Sequence, residues 1–537
     1  MIQRRAGKEA QGNSYSAFYE REKWRIAAPA WIPLISSGSQ GVIKPRHITN
    51  RVDVLLASGH MPHCVRCKLG RLVFFVRDRR VRPRREPPNA TKQDYWEDCS
   101  NIPTEAKSCM RYEKCSQATA ELCKGLKAEE TFSYKGLRAL GIKDRIGDTV
   151  FEKGMVADAD GEDRDQDVDG RPTKYLNDDL SQWEPKFRDE TIHGVIIVTG
   201  SSHPKLQKTL EKVKKVFKVG TKVASITEVT QVEGHVRPGD IAGHEHFGFA
   251  DGIAQPAVDS VPTVVHRGAD TVHQGIILVG RSGDSIKEQR PSWALDGSFL
   301  AFRKLKQNVP EFQKFLDLEA QNTGLSAELL GAKLVGRYKS GAPVENFPKE
   351  EQFSTSKVAS KDPSANDNFR YQQDVKQSHC PYAAHTRKTN PRDDIAFNTD
   401  AHQVHRIIRR GIQYGPEVTD EEEATSTSST DPKLERGLLF ACYQSNLSNG
   451  FQFIQKFWAN NSGFPFNKVD APKPGFDPII GANHFNKPEP NRDFVGFDES
   501  QQEKRLDLTD DWVISKGGEY FFSPSISALQ ETFAQAA

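Results

Sequence analysis

Segments with strand-like and helix-like apolar patterns alternate in the middle of the chain. Residues 191–200, TIHGVIIVTG, are rich in β-branched side chains and end at glycine, which predicts a buried strand. Residues 203–217 carry an apolar stripe at helical spacing, with lysines between its members: Leu206, Leu210, Val213 and Phe217. Such a stripe predicts an amphipathic helix. Residues 225–234 alternate like a second strand, so the predicted order is strand, helix, strand.

The same order recurs in the second half of the chain. Residues 297–308 predict a strand, and the next segment predicts a helix with Pro310 in its first turn. A second helix follows, with Ser326 as its N-cap. Residues 437–446 predict an apolar strand, and residues 451–461 a further helix. The pattern therefore predicts an α+β protein with two units, each with helices packed on a sheet.

The first 120 residues differ from the rest in composition. They are rich in Arg and Pro, contain five of the eight cysteines and lack hydrophobic periodicity. Cys64 and Cys67 have zinc-ligand spacing, but no second ligand pair follows at a useful distance. The basic run at 77–88 is typical of a solvated leader, and the alternative is a segment that binds an acidic partner. We therefore expect residues 1–120 to form an atypical, poorly ordered Cys- and Arg-rich segment.

Overall charge and hydropathy exclude few functions. The 537 residues include 74 Lys and Arg against 72 Asp and Glu, a net charge of +2, so nothing demands nucleic acid or an anionic membrane. No apolar run approaches the roughly 18 residues of a membrane-spanning helix, and no secretory signal is visible. Glycosylation sequons at Asn89, Asn446 and Asn460 permit secretion. The compartment therefore stays open between extracellular and cytoplasmic.

The stretch HEHFGFADGIAQPAV, residues 244–258, places the carboxylate of Asp251 among apolar residues and glycines. A carboxylate is costly to bury unless it is paired. His244 and His246 lie on one face of the same stretch if it is extended, and a metal pair is conceivable there. No further ligand is evident in the sequence, which disfavours a metal site at these histidines.

Two later stretches carry candidate partners for Asp251. In CPYAAHTRKTNPR, residues 380–392, two alanines precede His385 and leave room for a flat ligand to approach the imidazole. In HRIIRRGIQYG, residues 405–415, Arg409 and Arg410 follow an apolar run and need anionic partners. Taken singly, each stretch also fits a surface histidine or a surface salt bridge.

Together, these three stretches resemble the dye-decolorising peroxidase family of haem peroxidases. GFADG at 248–252 matches the G-x-x-D-G motif of the family, and the similarity extends over roughly residues 125–530. The resemblance implies two ferredoxin-like domains, each a mainly antiparallel sheet with packed helices. The first, 121–290, would carry G-x-x-D-G, and the second, 291–537, would bind haem. The implied cofactor is haem b.

The resemblance also implies roles for individual residues. His385 would be the proximal ligand of the haem iron, Asp251 the distal acid–base residue and Arg409 the distal arginine. Arg410 is the alternative for that last role, but Arg409 has the spacing to Gly411 that the family motif shows.

Further matches concern the walls of the haem pocket and its surroundings. Leu438 and Phe440 would line the distal side. Phe249 suits the pocket wall, although core packing is an equal interpretation. Tyr414 and Trp458 fall where some members use surface aromatics to relay electrons. A carboxylate is expected to hydrogen-bond the far nitrogen of the proximal histidine. The sequence does not identify it, and Asp393 and Asp394 are near His385 in sequence only.

The implied reaction is the oxidation of dyes and phenolic or other aromatic donors by hydrogen peroxide, through the oxidised haem state called compound I. A haem-binding or haem-processing protein without significant turnover is the main alternative. A non-catalytic module whose N-terminal segment contacts nucleic acid is another. The favoured interpretation has peroxide and bulky aromatic donors as partners, with no nucleic acid and no membrane. The sequence leaves the choice between monomer and dimer open.

The sequence departs from fungal members of the family at its start. The first strand, with its Q-G-D-type motif, cannot be found in residues 1–125. If that strand is missing, we expect the first sheet to lose an element and expose a neighbouring edge.

Overall fold

The computed structural model describes residues 69–76, 128–160, 162–166, 172–174, 176–189, 191–261, 268–351, 366–371, 374, 376–395, 403–466, 474–482, 492–501, 503–508 and 510–533. Its strands are β1 (Leu69–Val76), β2 (Ala128–Phe132), β3 (Glu162–Gln166), β4 (Pro172–Lys174), β5 (Gly194–Gly200), β6 (Thr227–His235), β7 (Ala257–Val258), β8 (Thr271–Val272), β9 (Ser298–Gln307), β10 (Ile408–Arg409), β11 (Ile412–Tyr414), β12 (Gly437–Gln444), β13 (Arg492–Phe494), β14 (Leu506–Leu508) and β15 (Val513–Ser523).

Helices lie on and between these strands. The α-helices are Tyr134–Ala139, Thr149–Lys153, Met155–Asp160, Pro185–Arg188, His203–Val216, Gln274–Ile277, Val309–Thr323, Ala327–Val335, His385–Thr389, Asp420–Thr425, Phe451–Phe453 and Ile526–Ala528. Short 3₁₀ turns lie at Leu180–Gln182, Gly239–Ile241, Lys287–Gln289, Ser292–Ala294, Arg392–Asp394, Gln403–His405 and Pro432–Leu434, and π-helical turns at Ile454–Ala459 and Leu529–Phe533.

The main sheet consists of two antiparallel halves with the same topology. One half has the order β2-β5-β1-β6 and the other has β12-β9-β15, with β10 and β11 both paired to the outer side of β12. In each half the first strand of the chain lies between the third and the fourth, which is the ferredoxin-like arrangement. The predicted α+β class with two ferredoxin-like units is therefore confirmed.

The two halves curl into one barrel. Phe522 of β15 pairs with Phe132 of β2 and joins the halves on one side. On the other side, β6 and β11 approach so closely that a Cβ added to Gly234 would lie 3.0 Å from the backbone oxygen of Gln413. The same Cβ would lie 2.4 Å from Cγ2 of Ile412, so any side chain at this position would force the neighbouring strand to shift.

Most of the elements predicted from apolar patterns are confirmed. The strand predicted at 191–200 is β5, and the helix predicted at 203–217 ends at Val216, with Leu206, Leu210 and Val213 buried. Ser326 caps the helix that begins at Ala327, since its hydroxyl accepts from the backbone N–H of Leu329 at 3.1 Å. The lysines of the 203–216 helix face away from the sheet, as an amphipathic helix on a sheet requires.

Strand β1 corrects the expectation of a missing first strand. Leu69–Val76 lies between β5 and β6 and pairs antiparallel with both. The first half of the sheet therefore begins upstream of residue 121, and β1 covers the edges of its neighbours. The rest of the N-terminal segment, including Cys64, Cys67 and the whole basic run at 77–88, lies outside the described residues. The two later cysteines, Cys380 and Cys442, are free thiols in the core.

Strand β9 lies at the centre of the second half and is buried on both faces. Phe299, Leu300, Ala301 and Phe302 are completely buried, because helices cover one face and the other lines a cavity. The ring of Phe302 packs 6.0 Å from that of Phe187. Among the described residues, no helix is long and apolar enough to cross a membrane.

Truncation of Phe302 tests how much this packing stabilises the barrel. We expect Phe302→Ala to lower the free energy of unfolding by about 3–5 kcal/mol, because it removes transfer free energy and leaves a cavity. Phe466→Ala, at a ring that is 50% exposed, is the matched control and should cost less than about 0.5 kcal/mol. Denaturant titration at an unchanged m-value measures both, and equal losses would contradict this account of the core.

Candidate functional site

A cavity of about 430 Å³ lies on the inner face of the second half of the sheet. Strands β9, β12 and β15 form one wall, and the GFADG turn and the helix at His385–Thr389 form others. The residues nominated from the sequence that line it are Phe249, Asp251, His385, Arg409, Leu438 and Phe440. Three segments that are distant along the chain therefore meet at a single cavity.

His385 begins a short helix on one side of the cavity. The residues before it, Ala383 and Ala384, are completely buried, while 25% of the His385 side chain is exposed and lines the cavity. Its Nδ1–H donates to Asp477 Oδ2 at 2.8 Å. Since Nδ1 carries the hydrogen, Nε2 is the ring nitrogen that is left to bind a ligand.

Asp477 is the carboxylate that the sequence could not identify. Its side chain is completely buried, and Oδ1 accepts from the backbone N–H groups of Ile479 and Ile480 at 2.8 and 3.0 Å. Burial by itself raises the pKa of Asp477, but His385 and these hydrogen bonds outweigh it and hold the pKa below its ordinary value. The carboxylate therefore stays ionised and fixes the orientation and tautomer of the imidazole.

The two acids near His385 in sequence have other partners. Asp394 pairs with Arg387 at 2.6 Å, and Asp393 accepts from the backbone N–H of Tyr371 at 2.8 Å. Asp477 lies 92 residues from His385 along the chain. No pattern in the single sequence indicates that separation.

Asp251 and Arg409 form an ion pair at the cavity. Arg409 Nη1 lies 3.1 Å from Asp251 Oδ1, and Nη2 donates to the backbone oxygen of Ile253 at 2.6 Å. The side-chain amide of Gln255 bonds both the N–H and the C=O of Arg409. About a third of each charged side chain is exposed, 35% for Arg409 and 30% for Asp251. The pair is therefore fixed in place and still open to a small molecule in the cavity.

Arg410, the alternative for the distal role, does not line the cavity. Its backbone N–H donates to Ala441 and its guanidinium to the backbone oxygen of Arg409. Of the two neighbouring arginines, Arg409 is the one whose charge reaches Asp251.

The turn that carries Asp251 depends on its glycines and on Glu245. Gly248 and Gly252 adopt φ values of 98° and 82°, which L side chains rarely adopt. The buried carboxyl of Glu245 accepts from the backbone N–H groups of Phe247 and Phe249, both at 2.8 Å. Burial raises the pKa of Glu245. The sequence analysis missed Glu245, although it lies only three residues before Gly248.

The apolar wall of the cavity is made by alternate residues of one strand and by the GFADG turn. Leu438 and Phe440 both face the cavity from β12, because alternate residues of a strand share a face. Phe249 also lines the cavity, and its ring lies 6.4 Å from that of Phe312. Phe249 therefore forms part of the pocket wall and also packs in the hydrophobic core.

Three of the other arginines at the cavity, Arg337, Arg392 and Arg406, lie close together on one side of it. Arg337 and Arg392 share a single carboxylate, Asp367, and Arg406 lies 3.9 Å from Asp270. Burial lowers the pKa of Arg337 and of Arg406 to about 10. Within the described part of the chain, Arg406 Nε is buried without a hydrogen-bond partner. This side of the cavity therefore suits a ligand that carries negative charge.

The candidate relay aromatics are both buried. Tyr414 is 6% exposed and donates its hydroxyl hydrogen to Glu435 at 3.0 Å, and Trp458 is 4% exposed and stacks on Phe464. Neither presents a ring at the surface of the described structure, in contrast to the surface position that the resemblance implied. Any electron transfer through them would proceed inside the protein.

His244 and His246 do not form a metal pair with other ligands. His246 Nε2 bonds the backbone oxygen of Tyr414 at 2.9 Å, and burial lowers its pKa to about 4. No group of three or more metal-ligating side chains occurs in the regions that the structure describes.

Family models match both halves of the barrel. Residues 99–238 match a DyP dimeric alpha+beta barrel domain, and residues 247–467 match the C-terminal domain of Dyp-type peroxidases. The chain belongs to the dye-decolorising peroxidase family. It is therefore a peroxidase, an oxidoreductase with peroxide as acceptor, and members of this family depend on haem.

Individual relatives agree with the family models. The chain is 43% identical over 414 residues to Peroxidase 2 of Mycetinis scorodonius, and the match covers 75% of each chain. An ancestral D-type dye-decolorising peroxidase is 40% identical in structural alignment, with a TM-score of 0.75, over 91% of this chain and 100% of the other. A dye-decolorising peroxidase in complex with 2,6-dimethoxyphenol is 36% identical, with a TM-score of 0.71, over 87% of this chain and 96% of the other.

Substitution of Glu245 tests how this dye-decolorising peroxidase holds the turn of Asp251. Glu245→Ala removes both backbone contacts, so we expect about a 100-fold loss of kcat/KM for peroxide from a displaced carboxylate. Glu245→Gln keeps one accepting oxygen and should give a smaller loss. Glu423→Ala, on the exposed face of the helix at Asp420–Thr425, is the control. Wild-type kinetics in Glu245→Ala would contradict the positioning role.

Proposed function

We propose that the protein is a haem b peroxidase in which His385 binds the haem iron, Asp251 is the acid–base residue and Arg409 stabilises developing negative charge. The observation that carries the proposal is that a carboxylate-supported imidazole and an aspartate–arginine ion pair line the same cavity. Its substrates are hydrogen peroxide and bulky dyes or phenolic donors.

The residues of the cavity fit haem in three ways. His385 has its Nε2 available for the iron while Asp477 holds Nδ1. Leu438 and Phe440 supply an apolar wall for a flat ring. Arg406, with its buried Nε lacking a partner among the described residues, and Arg337 supply positive charge for the propionates. When bound, haem supplies the electrons that cleave the oxygen–oxygen bond of peroxide.

Asp251 moves the proton that this cleavage requires. Its carboxylate takes a proton from one oxygen of hydrogen peroxide and returns it to the other, which leaves as water. Arg409, with Nη1 3.1 Å from Asp251 Oδ1, places a fixed positive charge where the departing oxygen becomes negative. Because the backbone of Ile253 and the side chain of Gln255 hold Arg409, this charge needs no rearrangement during the reaction.

Bulky donors fit this cavity less easily than peroxide does. A solved relative holds 2,6-dimethoxyphenol, which supports phenolic donors as substrates of this chain. Tyr414 and Trp458 are buried, so a donor at the protein surface would not touch either ring. Its electron would have to cross the protein between the surface and these rings. The proposal keeps both residues as internal relays.

Asp251→Asn tests the acid–base role directly. We expect the haem to stay bound, with an unchanged Soret band, and the reaction with peroxide to slow by about 10²–10⁴-fold. Stopped-flow absorbance after mixing with peroxide measures the rate. An unchanged rate would refute the role of Asp251. Haem binding without any peroxide reaction in the wild-type protein would favour the haem-processing alternative.

Asp477→Asn tests the support of His385. The amide still accepts the N–H groups of Ile479 and Ile480 but lacks the charge opposite the imidazole. We expect haem affinity to fall by about 10–100-fold and the reduction potential of the iron to rise. Haem titration at the Soret band and spectroelectrochemistry measure these quantities. Asp393→Asn, near His385 in sequence only, is the control, and equal behaviour of the two variants would contradict the assignment.

A further inference from the structure

Buried tyrosines that donate a hydrogen bond to a carboxylate form a distinct class among the described residues. The pairs are Tyr414 with Glu435 at 3.0 Å, Tyr443 with Glu129 at 3.0 Å, and Tyr520 with Asp158 at 2.6 Å. All three tyrosines are buried. A tyrosine in such a pair can lose its proton to the carboxylate if it also loses an electron, so each pair is a candidate for redox chemistry.

The pair of Tyr520 and Asp158 has the geometry best suited to proton transfer. Its distance of 2.6 Å is that of a hydrogen bond to a charged oxygen. Burial raises the pKa of Asp158 to about 6, although the hydrogen bonds from Tyr520 and Gln452 act in the opposite direction. Asp158 is therefore a stronger proton acceptor than an ordinary aspartate and is still ionised near neutral pH.

Tyr520 also lies next to the wall of the haem cavity. Its ring packs edge-on against Phe451, with 6.2 Å between ring centroids, and Phe451 lines the cavity. A single aromatic ring therefore separates Tyr520 from the space assigned to haem. The side chain of Tyr520 is completely buried, so no bulky donor can touch it.

The other two pairs are less well placed. The ammonium of Lys304 lies 4.9 Å from the ring of Tyr414, and a positive charge there opposes the loss of an electron. Tyr443 is on β12 but alternates with the cavity-facing residues Leu438 and Phe440, so it points to the opposite face of the sheet.

We propose that Tyr520, with Asp158 as its proton acceptor, is a redox-active tyrosine that reduces the oxidised active site by one electron when no donor is bound. One electron passes from the phenol of Tyr520 to the active site that peroxide has oxidised. The phenolic proton moves along the hydrogen bond to Asp158 Oδ2. The products are a neutral tyrosyl radical, a protonated Asp158 and an active site reduced by one electron. This inference rests on the proposed haem peroxidase function.

The test uses the haem-loaded protein mixed with one equivalent of hydrogen peroxide and no donor, then frozen for electron paramagnetic resonance. The wild type should give an organic radical whose spectrum narrows when the protein contains ring-deuterated tyrosine. Tyr520→Phe should lose this signal. Asp158→Asn keeps the phenol but lacks the proton acceptor, so its signal should fall as well. Tyr443→Phe, the matched buried pair on the far face, should keep the wild-type signal.

The outcomes separate this inference from the proposed function. A Soret change with peroxide, together with an unaltered radical in Tyr520→Phe, overturns the role of Tyr520 and leaves the peroxidase proposal intact. No Soret change in the wild type overturns both. If Tyr520→Phe fails to bind haem, Asp158→Asn decides, because an undiminished signal in that variant overturns the proposal. An equal loss in Tyr443→Phe also overturns it.

Discussion

The ion pair between Asp251 and Arg409 joins residues 158 positions apart at the wall of one cavity. About a third of each side chain is exposed, and pairs of this kind contribute little to folding stability. The importance of the pair is geometric, because it places a proton-accepting group and a fixed positive charge side by side. The rest of the site is arranged around this constraint: the turn of Gly248 and Gly252 presents the carboxylate of Asp251, and the backbone oxygen of Ile253 holds the guanidinium of Arg409.

The second fixed point is the imidazole of His385, which a buried carboxylate orients from behind. Asp477 accepts hydrogen bonds from two backbone N–H groups and from the imidazole of His385. The loop at 477–480 and the histidine are therefore positioned together. Between these two points, strands β9 and β12 supply a rigid wall whose alternate residues face the cavity. A barrel built from two similar halves therefore holds groups from loops at defined positions, which is the general requirement for a preorganised site.

The sequence predicted the parts of this arrangement that local patterns record. The periodic spacing of apolar residues predicted β5, β6, β9, β12 and the helices between them, because an element that is buried on one face carries apolar side chains at regular intervals. The G-x-x-D-G motif identified Asp251, since its glycines take backbone conformations that other residues rarely adopt. Asp477 could not be predicted, because its partnership with His385 exists only in three dimensions. Strand β1 was missed because a short apolar run among arginines and prolines has no helical or alternating context to support it.

The most direct test of the central claim is the position of iron in crystals of the haem-loaded protein, located by anomalous diffraction at the iron edge. The account predicts one peak inside the cavity, bonded to Nε2 of His385, with Asp251 and Arg409 on the opposite face of the porphyrin. A peak bonded to any other side chain, or one with Asp251 and Arg409 on the same face as His385, would contradict it.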